Sequence, residues 1–347
     1  MNPDGRGKPP KDHAHPAPRL TWLDLYRGTA VLVMIETHVL NTFLAPAFRA
    51  TDWFLRLNYV NGLVAPAFLF IAGYAHGLGL RKRQTRQFGV SRRLWRLAGI
   101  AALGGIMHFP WTEVLAGRWR EGWHAWNCVD ILPCLAAAIG LIVVLERWCG
   151  RWIKAVIGFS AAAVLVISPQ IALWSDGPIP VLAWLNRTHG SLFPLFPWAA
   201  FAFLGYVASS RPPTFRAFAV PVLSAAASLF FLERQPFSSA GPAFFFERLA
   251  WILAFVPICG WLSARWSPPV VLFAGRESLV MYLGHLVLIA FIAGAGVSAL
   301  GVSVLPLLAG VLAASFGITW AWRTFSVWSA DRARLARHPQ GSSAPAG

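Results

Sequence analysis

The sequence predicts an all-α, polytopic integral membrane protein of about ten transmembrane helices with both termini in the cytoplasm, and three observations predict it. Mean hydropathy is +0.55. Only 13% of the 347 residues are charged, beside 18 Trp and 25 Phe, which is too little polar surface for a soluble domain of this length. Ten apolar stretches are each long enough to cross a hydrocarbon core of about 30 Å. The Lys and Arg residues gather in short segments between those stretches, so the net charge of +16 reads as a topology signal and no nucleic acid partner is expected.

The stretches are 22–46, 58–80, 94–110, 126–146, 152–174, 191–209, 215–233, 245–264, 270–292 and 301–325. An even count puts both ends of the chain on one side. The segment between the second and third carries Arg81, Lys82, Arg83, Arg86, Arg92, Arg93 and Arg96 with no acidic residue, which assigns it to the cytoplasm. Arg147, Arg151, Lys154, Arg211, Arg216, Arg265, Arg276, Arg323, Arg332, Arg334 and Arg337 fall on the same side, whereas 109–125 and 233–248 balance Arg with Glu. Residues 1–18 and 329–347, of low-complexity composition, are expected to be disordered cytoplasmic ends around a membrane domain at 19–328. The first apolar run is too long and too ionisable for a cleaved signal peptide, and the expected place is the cell (inner) membrane, as a multi-pass protein in contact with lipid. Cys128, Cys134, Cys149 and Cys259 show no paired spacing and read as packing residues, with no metal expected. The Gly73 to Gly77 spacing suits close helix contact.

Inside the first stretch lie Arg27 and His38, eleven positions apart. On a helix that spacing puts them within about 20° in azimuth and about 16 Å apart along the axis, on one face. Ionisable residues within a span are costly to insert and mark candidate functional sites. Glu36, about 160° around from His38, faces a neighbouring helix instead. Asp130, with Asn127 one turn before it, enters from the outer end of the fourth stretch, at a depth compatible with His38; it serves either as an orienter of the imidazole or as an interfacial helix cap. Ser278, Tyr282 and His285 fall at i, i+4 and i+7 and form one polar stripe in the ninth stretch. It either lines a tunnel or bonds neighbouring helices. His108, His124 and His189 sort to the outer side with Trp111, Trp119, Trp123 and Trp126, as an acceptor mouth or an aromatic belt.

These residues carry a resemblance. Leu23-Asp24-Leu25-Tyr26-Arg27-Gly28 followed by His38 resembles the opening helix of the acyltransferase-3 family, and Arg93-Leu94-Trp95-Arg96 resembles its cytoplasmic Arg-x-x-Arg. Ala65-Pro66-Ala67-Phe68-Leu69-Phe70-Ile71-Ala72-Gly73, and Phe193-Pro194-Leu195-Phe196-Pro197-Trp198 ahead of Gly205, resemble the bacterial relatives of the heparan-α-glucosaminide N-acetyltransferase catalytic domain. Gly275-Arg276-Glu277-Ser278-Leu279 with Tyr282 and His285 is similar to the late helix of both. Animal members carry a histidine in the first lumenal loop, whereas residues 45–58 here contain none. That role passes to His38 if any histidine in this region holds it.

The resemblance implies transfer of an acyl group, acetyl by expectation, from cytoplasmic acetyl-CoA or another acyl-CoA to a hydroxyl or amine of a glycan or similar polar acceptor. Such chemistry needs cations for the donor phosphates, a base for the acceptor and a buried meeting point. Arg93 and Arg96, at i and i+3, can grip phosphate from one side or simply mark the cytoplasmic surface. Arg27 touches the donor, pairs with Asp24, or does both. His38 is the expected catalytic group, as general base or as acyl-histidine nucleophile, with Asp130 beside it. Tyr282 and His285 are expected on the donor side. A transporter or flippase that uses the same Arg, His and Asp as a substrate or proton path is the alternative, and a catalytically retired scaffold is a third reading.

Overall fold

The computed structural model describes residues 20–83, 89–232 and 240–337. The terminal segments 1–18 and 338–347, Arg86 in the basic segment and residues 233–239 of the acid-balanced one lie outside the described residues, as does the side chain of His124. The helices are α1 (Thr21–Phe43), α2 (Pro46–Arg49), α3 (Asp52–Asn61), α4 (Val64–Arg83), α5 (Val90–Met107), α6 (Trp111–Leu115), α7 (Trp119–Trp126), α8 (Ile131–Cys149), α9 (Ile153–Leu173), α10 (Ile179–Leu185), α11 (Leu195–Ala208), α12 (Phe215–Leu232), α13 (Pro242–Ser263), α14 (Pro269–Arg276), α15 (Ser278–Gly294) and α16 (Val304–Arg337). Among the described residues the only extended pairing is an isolated bridge between Leu44 and Leu300, which ties the end of α1 to the approach to α16.

Every predicted apolar stretch contains a helix, and most boundaries agree within a few residues; the second stretch is divided between α3 and α4, and the tenth runs on to Arg337 instead of ending at 325. By length and composition, four helical stretches can cross a membrane: Asp52–Gly79, Ile131–Leu173, Pro242–Ser263 and Val304–Arg332. The pair α14 and α15 makes a fifth if counted together. The structure thus establishes a multi-helix chain with four or five candidate spans. The ninth stretch departs from the expectation of one straight helix, because α14 and α15 meet at Glu277 with a bend of 88°. α16 runs for 34 residues to Arg337, about 51 Å at 1.5 Å per residue, so the chain from 329 to 337 is helical.

α1 lies at the centre and packs against α4, α13, α14, α15 and α16, while α11 packs against α4, α8 and α9. Two crossings are close because glycine faces backbone on both sides. A Cβ on Gly28 would overlap the Val271 carbonyl, and one on Gly275 the Asp24 carbonyl. Gly73 meets the Ala202 carbonyl and Gly205 the Phe70 carbonyl in the same reciprocal way. Small residues permit this approach, and it replaces side-chain interdigitation with backbone contact. The first crossing fixes Arg27 beside the α14–α15 break. The second fixes the wall of α4 that faces α1.

The short helices α2, α3, α6, α7 and α10 connect long helices at the end of the bundle remote from the basic segment 81–96. Their Trp-rich surfaces stay exposed: Trp53, Trp111, Trp119 and Trp123 are all open. Exposed aromatic residues at one level of a helical bundle suit a membrane interface.

Candidate active site

Between α1, α4, α5, α8 and α15 lies a cavity of about 660 Å³ that Arg27, His38, Asn61, Asp130, Ser278 and Tyr282 all line. Arg27 and His38 therefore do share a wall, as their helical spacing predicts. His76 marks the end of the cavity nearer the basic segment, and Asp130 marks the other end.

His38 is placed by backbone and by a second imidazole. Its Nδ1 lies 2.9 Å from the Met34 carbonyl oxygen, a bond that only an Nδ1–H can make. His285 repeats the arrangement one helix away, with Nδ1 2.9 Å from the Met281 carbonyl, and its Nε2 sits 3.4 Å from His38 Nδ1. These contacts assign both rings as Nδ1–H tautomers, with the His38 proton shared between Met34 and His285. Among the described residues His38 Nε2 has no hydrogen-bond partner, and the ring lines the cavity. His285 is fully buried and lies behind His38, off the cavity wall.

Asp130 is the N-cap residue of α8, yet its carboxylate makes no capping bond. Tyr282 donates to its Oδ2 at 2.7 Å, and His108 Nε2 stands 3.7 Å from the same oxygen. The carboxylate and His38 share the cavity, but among the described residues Asp130 touches Tyr282 and His108, not the His38 ring. Asp130 also lines a second pocket of about 510 Å³, walled by Trp111, Trp123, Trp126 and Trp184. Asn127 donates to the Trp123 carbonyl at 2.7 Å and lines that second pocket.

At the other end Arg27 donates to Ser278 Oγ at 3.0 Å. Asp24 pairs with Arg276 instead, at 3.2 Å, because the α1–α14 crossing brings Arg276 to it. Among the described residues no carboxylate lies within ion-pair distance of Arg27. Arg93 is bound differently: it donates to Glu146 Oε2 at 2.6 Å, and His76 Nε2 stands 3.1 Å from Glu146 Oε1. The Tyr206 ring lies beside His76, with centroids 6.2 Å apart. Arg96 is exposed and off the cavity wall. Among the described residues no cluster of three His, Cys, Asp or Glu side chains is arranged to hold a metal ion.

Two features escaped the sequence reading. Asn61, at the end of α3, is 4% exposed and lines the cavity. Its Nδ2 reaches Glu36 Oε1 at 3.5 Å, while its Oδ1 has no donor among the described residues. The signal was an amide beside Gly62 at the start of an apolar stretch. Glu146 went unremarked among the basic residues that follow it, although a lone carboxylate at the end of an apolar helix calls for a cationic partner.

Residues 19–236 match the family described as heparan-alpha-glucosaminide N-acetyltransferase, catalytic. The chain belongs to that family. It is accordingly a multi-pass membrane protein of acetyltransferase type, and the match spans Arg27, His38, Asn61, Arg93, Asp130 and Glu146. Ser278, Tyr282 and His285 lie beyond the matched residues, so their membership of the site rests on the cavity geometry. No curated protein matches the chain. The transporter or flippase alternative finds no support in the match to this family.

Proposed function

We propose that this protein moves an acetyl group from acetyl-CoA, or a related acyl-CoA, to a hydroxyl or amine of a glycan-like acceptor, with His38 as the general base. The observation that carries the reading is that His38 Nε2 has no hydrogen-bond partner among the described residues, on the wall of a cavity that also holds the guanidinium of Arg27, bonded to Ser278 Oγ. Within a membrane bundle, a guanidinium with no carboxylate in ion-pair distance among the described residues keeps donors for an anionic ligand. The donor enters from the end carrying the basic segment, its phosphates near Arg27 and the exposed Arg96, with Arg93 held beside them by Glu146, and its pantetheine arm runs along the roughly 16 Å from Arg27 to His38. Ten membrane crossings, cytoplasmic termini and residence in the inner membrane complete the proposal.

In the reaction His38 Nε2 takes the proton of the acceptor hydroxyl or amine as its oxygen or nitrogen attacks the thioester carbonyl. The tetrahedral intermediate collapses with cleavage of the C–S bond, and the imidazolium returns the proton to the coenzyme A thiolate. During the step His285 Nε2 and the Met34 carbonyl both accept from His38 Nδ1–H, which holds the ring in place and favours its charged form. His285 is thus a positioning residue, although the sequence placed it on the donor side. Tyr282 and Asp130 form the cavity wall facing the acceptor end, where the carboxylate can accept from an acceptor hydroxyl. The kinship to acyltransferase-3 proteins rests on the Arg–His spacing and the Arg-x-x-Arg motif.

Release of coenzyme A from radiolabelled acetyl-CoA by purified protein tests the reading. Turnover in wild type and its loss in His38→Ala support it. Turnover that survives in His38→Ala, or a wild type that never consumes the donor, refutes it.

A further inference from the structure

We infer that the acceptor is an amphiphile that reaches His38 sideways from the bilayer, its tail in the groove between α1, α3 and α16 and its hydroxyl or amine head bonded to Asn61 Oδ1. This rests on the acyltransferase reading and adds the class of acceptor and its route.

The groove has a volume of about 620 Å³, and its walls include Leu40, Phe48, Leu57, Val302 and Leu305. Glu36 is the ionisable side chain in that lining. Val302 is 75% and Leu305 61% exposed, so the groove opens on the outside of the bundle. Along α1 it follows Leu32 to Leu44, about 18 Å of helix in the half remote from the basic segment. Hydrocarbon is the solvent on that face, and an alkyl or prenyl chain is the occupant that a membrane supplies.

A tail alone would leave two polar groups unexplained. Glu36 faces the groove while His38, two residues on, faces the central cavity. Asn61 lines both spaces and forms the partition. It is nearly fully buried, and its Oδ1 lacks a donor although its Nδ2 reaches Glu36. Buried amide oxygens are almost always bonded. A hydroxyl or amine arriving at the inner end of the groove would satisfy Oδ1 and enter the cavity lined by His38. An aqueous acceptor entering by the Trp-lined pocket beside Asp130 would use neither the groove nor Asn61.

The test uses the full chain in phosphatidylcholine nanodiscs with dodecyl β-glucosaminide bearing a diazirine on its tail, and a tail-labelled diazirine phosphatidylcholine for comparison. After irradiation, adducts of the glucosaminide are expected on 53–60 and 302–308. In Asn61→Leu, labelling should fall about tenfold, equivalent to about 1.4 kcal/mol. Leu305→Trp, which fills the groove without touching the polar pair, should reduce it likewise, whereas Leu173→Trp on the exposed face of α9 should not. Equal groove labelling by both probes would mean ordinary bilayer lipid and overturn the inference. So would adducts centred on Trp123 and Trp126, or undiminished labelling in Asn61→Leu. Acetyl-CoA consumption measured on the same samples tests the acyltransferase reading separately, since cross-linking needs no turnover.

Discussion

The two ends of the central cavity differ in how their charged groups are paired. At the His76 end most polar groups are partnered: Glu146 bonds Arg93 and His76 in a single cluster, and Arg93 Nε is the donor it leaves open among the described residues. At the His38 end valences are left open, on His38 Nε2 and on Asn61 Oδ1. The ion-paired cluster fixes helices α4, α5 and α8 against each other, and its carboxylate and guanidinium are already engaged. An open one is costly to keep and makes sense where a ligand completes it. Arg27, which bonds Ser278 and has no carboxylate within ion-pair distance among the described residues, belongs with the second kind although it sits nearer the first.

The largest expected effect is on chemistry at the open end. His38→Ala should lower kcat for acetyl transfer about 10²–10⁴-fold with the protein still monodisperse in detergent; a variant that aggregates would move His38 to the structural side of the contrast. The mirror experiment is Glu146→Ala, which removes the one carboxylate of that cluster among the described residues. Leaving Arg93 buried without its partner should cost about 3–5 kcal/mol, read as a lowered thermal midpoint, and no change in midpoint would break the comparison. Arg27→Ala should weaken acetyl-CoA binding by about 1.5–3 kcal/mol, the worth of a hydrogen bond to a charged group, measured by calorimetry. Unchanged affinity removes Arg27 from the donor path. His285→Asn should reduce kcat about tenfold, roughly the worth of one positioning hydrogen bond, while the KM for acetyl-CoA stays put; a rise in that KM instead would return His285 to the donor side. Smallest is Asp24→Asn at the partly exposed pair with Arg276, about 0–1 kcal/mol, with transfer unaffected.

Periodicity made the long helices legible, since an apolar run and a span are nearly the same observation. It could not show the break at Glu277. Nothing in Gly275-Arg276-Glu277-Ser278 forbids a continuing helix, and the 88° bend follows from the crossing in which Gly275 and Gly28 press against backbone. The shared face of Arg27 and His38 was readable because both sit on one helix. Partners across helices were not: Arg276 takes Asp24, Glu146 takes Arg93, and His285 reaches His38 over 247 positions of chain. Asp130 lines the same cavity as His38, but its bond to Tyr282 depends on how α8 and α15 are packed together. Asn61 went unnoticed because an amide at the start of a span looks like a boundary residue until its orphaned oxygen is seen.

The central claim is that His38 Nε2 is the group toward which the donor's thioester is delivered. A cryo-EM structure with a non-hydrolysable acetyl-CoA analogue tests it directly. The account predicts the analogue's carbonyl within hydrogen-bonding reach of an acceptor position beside His38 Nε2, with phosphate oxygens toward Arg27. An analogue bound outside the cavity, or one whose acyl end lies at the Glu146 cluster with His38 Nε2 facing packed side chains, would contradict it.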